Sequence, residues 1–364
     1  MKPPGKLLIR CDASIHIGTG HAMRCLALAQ AWQDVGGCTI FAMAESTEAV
    51  AQRIVAEKME FVNVQQTPSS QGDSESTSEF ARQHAAQWVV IDGYGFDADY
   101  QARLHEAGLR LFIVDDDGRA ERYCAEIVLN QNPQATERLC PHREPSTRLL
   151  LGPEYVLLRR EFAVWRGRKR EIHAPARKVL LTLGGSDPDN VTLCVIEGLI
   201  AAPEFEAQIV VGGSNPHLDQ LREAIGASRP GLRLVHNASN MSELMAWADV
   251  AVAAAGTVAW EMAFMGLPAL LIVLADNQEP IASALVNAGA ALCLRPAGSL
   301  SGEDVRNRLR GLASSHEAMG KMSTRGPALI DGRGAERAVA AMLERDLNTR
   351  PTQPAVSGNV NERS

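Results

Sequence analysis

The sequence predicts an α/β fold of two Rossmann-like, parallel-sheet domains facing each other across a cleft. Three observations carry this expectation. Short apolar runs bounded by turn residues alternate with longer stretches of helical spacing, as parallel strands covered by helices require. The alternation restarts after residue 175. Between the halves lies a charge-dense stretch with no strand period, LLRREFAVWRGRKREIHAP (157–175). Residues 1–152 are therefore expected to form a first domain, 153–175 a connector, 176–345 a second domain and 346–364 a disordered tail.

Along the first half, KLLIR (6–10), WVVID (88–92) and RLFIVDD (110–116) read as strands, each a compact apolar run. MRCLALAQAWQDVG (23–36) and EAVAQRIVAEKM (48–59) carry apolar residues at helical spacing. SSQGDSEST (69–77) has almost nothing to bury and is expected to be a solvated loop. In the second half KVLLTLGG (178–185), AQIVVGG (207–213), LRLVHNA (232–238), DVAVAAAG (249–256) and PALLIVLA (268–275) repeat the strand pattern. RPTQPAVSGNVNERS (350–364), within the tail, offers little apolar surface.

Composition narrows the partner. The 364 residues suit two domains of ordinary size, and a 46% hydrophobic content supports a substantial core. A net charge of −7 is a poor match to nucleic acid or an anionic membrane, so a small molecule is the expected partner. Seven cysteines, odd in number and without a C-x-x-C pair, support neither a disulfide framework nor a zinc site. The N-terminal apolar run is too short for a signal peptide, and Trp247–Ala275 is broken by Asp249, Glu261 and glycines, so no membrane insertion is expected. The protein is expected in the cytoplasm, as a monomer, without a cofactor.

Two stretches carry chemistry. In IHIGTGHAMR (15–24), Gly18 and Gly20 match the first two positions of G-x-G-x-x-G, but Met23 occupies the third, so a dinucleotide site is not supported. The glycines still permit a tight strand-to-helix turn, and His21 then projects from the first helical turn at the carboxyl end of the first strand, where ligand crevices form. A histidine there can accept a proton from water near neutral pH; it is also compatible with a plain helix-terminal residue. His16, on the loop, reads as surface. In AAAGTVAWEMAFMGLP (253–268), Gly256 and Thr257 open a helix whose free amides suit a diphosphate, and Glu261 follows one turn later, placed for two ribose hydroxyls or for solvent.

These residues carry a resemblance. GGSDPDN (184–190), AGTVAWE (255–261), MGLP (265–268) and DNQ (276–278) resemble the nucleotide domain of two-domain glycosyltransferase-B (GT-B) proteins of the MurG kind. IGTGHAMR (17–24), IDGYGFD (91–97), VDDDG (114–118), LNQN (129–132) and LLRREF (157–162) are similar to the UDP-sugar hydrolases of pseudaminic acid biosynthesis, which remove UDP from UDP-2,4-diacetamido-2,4,6-trideoxy-β-L-altropyranose. The resemblance covers roughly residues 6–345. It implies a GT-B fold, His21 as the base that activates water, Glu261 and Asn277 as nucleotide contacts, an arginine contact at Arg159 or Arg160, and Tyr94 near the sugar. Asp12 either shapes the same pocket or caps the loop. The helix starts AGT where the family is commonly richer in serine.

Other candidates have plainer readings beside the chemical ones. Asp115, Asp116 and Asp117 are placed for Mg²⁺ or for a turn, GGSDPDN for a second phosphate loop or a helix cap, and RGRKRE (166–171) for nucleic acid or a solvated connector. No metal ligands are assigned. Three functions remain: a hydrolase releasing UDP from a UDP-sugar with inversion, a glycosyltransferase of the same architecture, and a nucleotide-sugar binding protein without turnover.

Overall fold

A computed structural model describes residues 3–226, 230–294 and 297–349. Its first half runs β1 (Lys6–Cys11), α1 (Gly20–Asp34), β2 (Cys38–Met43), α2 (Glu48–Ala56), β3 (Glu60–Asn63), α3 (Gln71–Gln83), β4 (Ala86–Asp92), α4 (Ala98–Glu106), β5 (Leu111–Val114), β6 (Ile127–Asn130) and β7 (Arg148–Leu151). All neighbours pair in parallel, in the order β3-β2-β1-β4-β5-β6-β7. The central strands are apolar along their length because helices cover both faces, one layer holding Leu7, Ile9, Trp88 and Val90 and the other Leu8, Val89, Ile91 and Tyr100.

The second half runs β8 (Lys178–Thr182), α5 (Val191–Ile200), β9 (Glu206–Val211), α6 (Leu218–Ile225), β10 (Leu232–His236), α7 (Met241–Trp247), β11 (Val250–Ala254), α8 (Thr257–Phe264), β12 (Ala269–Ile272), α9 (Glu279–Asn287), β13 (Leu292–Cys293), α10 (Gly302–Ala313), α11 (His316–Leu329) and α12 (Gly334–Thr349). Its six parallel strands follow the order β10-β9-β8-β11-β12-β13. In both sheets the winding direction reverses between the first and fourth strands, at β1/β4 and β8/β11. A crevice opens beyond the carboxyl ends of strands at such a reversal, and here the two crevices face each other. Asn277 Nδ2 donates across the cleft to Tyr94 Oη at 2.6 Å, and Ser214 Oγ to Thr47 Oγ1 at 3.1 Å.

The structure corrects the sequence reading in three places. Residues 69–77, expected as a loop, begin α3, whose first turn is capped by Ser70. Arg10 on β1 is fully buried, and its Nε and one terminal nitrogen donate to the two oxygens of Asp73 at 2.9 and 2.7 Å. A buried guanidinium needs a paired carboxylate, so the polar face of this helix turns inward, against the expectation from its composition. Second, RGRKRE is not simply solvated. Arg170 donates to the carbonyls of Met245, Ala248 and Met265 at 2.7, 2.7 and 3.2 Å, closing the ends of α7 and α8, and burial pulls it down to about 10.

Third, α12 does not stay with the second domain. Its residues Ala335, Ala338, Val339 and Met342 join Leu26, Ala29 and Trp32 of α1 in the core of the first. It also continues through 346–349, which the sequence reading gave to the tail. Residues 350–364 of the expected tail lie outside the described residues. Among the described residues no helix is long and apolar enough to cross a membrane.

Candidate functional site

The loop from β1 to α1 supplies the central side chain. Gly18 stands at φ +80°, the left-handed conformation the turn requires, and its N–H closes on Ser14 O at 2.8 Å. The chain then enters α1, and His21 falls in its first turn, 7% exposed. Its Nδ1 meets Asp92 Oδ1 at 2.7 Å. Asp92 is the last residue of β4, on the other side of the reversal point, and is fully buried. The same carboxylate accepts from Arg24 through Nε and a terminal nitrogen, both at 2.6 Å. Arg24 in turn pairs with Asp116.

The protonation state of this cluster follows from its charges. Burial alone would raise the Asp92 carboxyl, but the Arg24 guanidinium and His21 outweigh it and hold the group well below the ordinary carboxylate range. An ionised carboxylate only accepts, so the proton shared with His21 sits on Nδ1, and in the neutral imidazole the lone pair is then on Nε2. The imidazole is oriented as a proton acceptor. Tyr94 stands edge-on to it, ring centroids 4.7 Å apart, and carries the hydroxyl that meets Asn277 from the second domain.

A second group of residues surrounds a cavity of about 340 Å³ between the domains, at the small end of the range for ligand pockets. Thr19 and Arg53 line it from the first domain; Gly185, Ser239, Thr257 and Glu261 from the second. Gly256 is the N-cap of α8 and brings no side-chain cap, so the first amides of that helix remain free to bind an anion. Gly185 lies so close to Thr19 that a Cβ would fall 2.4 Å from its Oγ1, and glycine alone permits this approach. Arg159 enters from the connector, donating through Nε and a terminal nitrogen to Glu261 Oε1 at 3.0 and 2.9 Å. Burial pushes the Glu261 carboxyl up, and Arg159 only partly opposes it.

The structure thus divides the expected site residues. His21 and Tyr94 line a smaller cavity of about 70 Å³ on the first domain. Arg159, Thr257 and Glu261 line the larger one, and Arg160 turns away to Asp34 and the Gln30 carbonyl, which favours Arg159 of the two arginines. Gly20 of the first domain approaches Thr257 of the second, 3.7 Å separating Thr257 Oγ1 from the place a Gly20 Cβ would take. Asp12 faces neither cavity. Its Oδ1 accepts from Ala44 N, Glu45 N and Arg10 at 2.8, 2.9 and 2.7 Å, so it ties β1 to the β2–α2 loop. Asp187 of GGSDPDN accepts from Val191 and Thr192 amides at 2.9 and 2.8 Å, the helix-cap reading. Asp115 closes its own turn through the amides of Asp117, Gly118 and Arg119.

The sequence reading assigned no role to Asp92 or Arg24. Both lie inside quoted motifs, and Asp92 ends a strand at the reversal point as His21 follows one; the argument that singled out the histidine applies to its partner.

Two Rossmann-like domains with facing crevices and a returning C-terminal helix define a GT-B fold, and solved structures agree. Acinetobacter baumannii MurG superposes with a TM-score of 0.63 at 14% identity, covering 94% of this chain and 100% of that one. S. aureus MnaA with UDP gives 0.65 at 12%, covering 96% and 99%. Residues 180–331 match the glycosyltransferase family 28 C-terminal domain. The chain is 27% identical over 261 residues to the spore coat polysaccharide biosynthesis protein SpsG of Bacillus subtilis, across 70% of this chain and 76% of that protein. It is 26% identical over 293 residues to the UDP-2,4-diacetamido-2,4,6-trideoxy-beta-L-altropyranose hydrolase of Campylobacter jejuni, across 78% and 97%. An uncharacterized Methanocaldococcus jannaschii protein shares 26% over 282 residues, and the match spans 75% of this chain but 56% of that protein.

Proposed function

We propose that this protein is an enzyme that hydrolyses a UDP-activated diacetamido-trideoxy sugar, UDP-2,4-diacetamido-2,4,6-trideoxy-β-L-altropyranose, releasing UDP by water attack at the anomeric carbon with inversion. The observation that carries this reading is the His21–Asp92 pair, a carboxylate-oriented imidazole set across the cleft from the uncapped start of α8.

In this mechanism the nucleotide occupies the interdomain cavity. Glu261 accepts hydrogen bonds from the ribose hydroxyls, and the diphosphate lies at the amides of Gly256 and Thr257. His21 Nε2 removes a proton from water as the water oxygen bonds to C1. The bond from C1 to the β-phosphate oxygen breaks, and its electron pair leaves with UDP, where the α8 amides meet the developing charge. Asp92 stabilises the imidazolium that forms. The attack comes from the face opposite UDP, so the first product anomer is inverted.

The test is turnover of that UDP-sugar in ¹⁸O-labelled water. The expected products are UDP and a sugar labelled at C1, first as the inverted anomer. Label in the nucleotide phosphate, or a first product of retained configuration, refutes the mechanism. A second reading, a glycosyltransferase using a UDP-sugar donor, is favoured by the family 28 match over 180–331. UDP release that depends on an added acceptor selects it over hydrolysis.

A further inference from the structure

The smaller cavity beside His21 contains an imbalance that its neighbours do not explain. Asp116 gives one oxygen to Arg24, while its Oδ1 is buried and accepts nothing. Gln101, 1% exposed, donates through Nε2 to Phe96 O at 3.3 Å, and its Oε1 is likewise buried without a partner. Both residues line the same cavity of about 70 Å³. A buried acceptor left without a donor is destabilising, and two at one cavity point to a ligand that brings donors. Ile91, Phe96, Ile113 and Val114 give the cavity an apolar side, opposite the charged Arg24, Asp97, Asp115 and Arg119. Asp116 is held in place by its own carbonyl, which accepts from Asn130 and Asn132 at 2.9 and 3.2 Å.

The chemistry of the occupant follows. Arg24 and Arg119 stand at the same wall and repel an ammonium ion, so the cavity calls for a neutral donor more than a cation. Of the two other aspartates at the wall, Asp115 spends its oxygens on backbone amides and on Tyr123, and Asp97 accepts from the Tyr100 amide as the cap of α4. A neutral N–H donor ending in a small apolar group matches both the orphaned oxygens and the apolar wall. His21 forms part of this wall, which sets the group next to the carbon that the base serves.

We propose that this cavity is a subsite for an acylamino substituent on the sugar carbon adjoining the anomeric centre. Its N–H donates to one of the two free oxygens, and its methyl lies against Phe96 and Ile113. The inference rests on the UDP-sugar reading above and adds the residues that select the sugar.

Binding, measured apart from turnover, tests it. UDP-N-acetylglucosamine and UDP-glucose differ only at that carbon, as do UDP-N-acetylgalactosamine and UDP-galactose. Calorimetry on the full chain is expected to give at least one acetamido member about tenfold tighter binding than its hydroxyl counterpart. In Asp116→Asn, which keeps a carbonyl for Arg24 and puts a donor where the free acceptor was, the advantage is expected to fall below about threefold, as it is in Gln101→Leu. UDP alone reports whether each variant keeps an intact nucleotide cavity, and its affinity is expected to move less than about twofold. Equal affinities within both pairs, or an advantage that survives in Asp116→Asn with UDP binding intact, overturns the subsite. Selective acetamido binding with no UDP release from the diacetamido-trideoxy UDP-sugar of the proposed function refutes the hydrolase reading and leaves the subsite standing. UDP release from that sugar without selectivity does the reverse.

Discussion

Asp92→Asn isolates the hydrogen bond that makes His21 a base. The wild-type carboxylate accepts three short bonds, two from Arg24 at 2.6 Å and one from His21 at 2.7 Å. An amide has one oxygen and one NH₂ in their place. If the oxygen faces Arg24 Nε, the NH₂ takes the Oδ1 place, donates to His21 Nδ1 and deprives the Arg24 terminal nitrogen of its acceptor, and the imidazole proton moves to Nε2, where it blocks proton abstraction. If the amide turns, the NH₂ confronts Arg24 Nε, and a buried donor pair is left unanswered. General-base catalysis contributes about 10²–10⁴-fold, so kcat is expected to fall within that range. Removing one partner of a buried ion pair costs about 3–5 kcal/mol, and because Arg24 retains Asp116, the lower end is expected. The pH dependence separates positioning from simple damage. Folding lowers the Asp92 pKa, so its contribution to stability is fully present above the ordinary aspartate value of about 4 and is lost as the pH falls below it. The urea midpoint of the wild type should therefore drop below about pH 4 more steeply than that of the variant. Turnover, UDP calorimetry and urea unfolding on the same preparation make the test; a kcat within about threefold of wild type, with the fold intact, refutes the orienting role.

Three further outcomes are expected. His21→Asn should lose about 10²–10⁴-fold in kcat while the Kd for UDP stays within about twofold; retained kcat removes His21 from the mechanism. Glu261→Ala should weaken UDP by about 1.5–3 kcal/mol in calorimetry, and unchanged affinity removes the ribose assignment. Burial raises the Glu261 carboxyl, so wild-type affinity for UDP should fall on acidification at a pH above the ordinary glutamate value of about 4.3, a dependence absent from Glu261→Ala. A chelator should leave UDP release unchanged, because the α8 amides are assigned to the leaving group; a loss restored by Mg²⁺ overturns that assignment.

What the sequence disclosed depended on whether burial left a periodic trace. The strands of both sheets are legible because each is covered on both faces, which forces near-continuous apolar runs such as KLLIRC and VAVAA. The helix at Gln71–Gln83 left no such trace, since beside Ala81 it buries the polar Asp73, Ser74, Thr77 and Ser78, and Asp73 answers Arg10, a residue 63 positions away. The alanine-rich run of α12 announces a helix and says nothing about its partner, because small residues pack against many surfaces. Within the candidate site, glycines and the helix start made the His21 loop and α8 visible. Asp92 escaped because an aspartate at a strand end also reads as a turn residue, and only the fold brings it to a histidine 71 positions earlier.

The return of α12 to the first domain has a consequence for the chain during synthesis. The second domain, 178–329, is contiguous and fully translated before α12 is made, whereas α1 must wait for Ala335, Ala338, Val339 and Met342 to cover its apolar flank. Domains that emerge first ordinarily mature first, and here the order is reversed. A chain cut at residue 333 holds the whole second domain beside a first whose Leu26 and Trp32 are short of their final neighbours, so α12 decides when α1 is protected from aggregation.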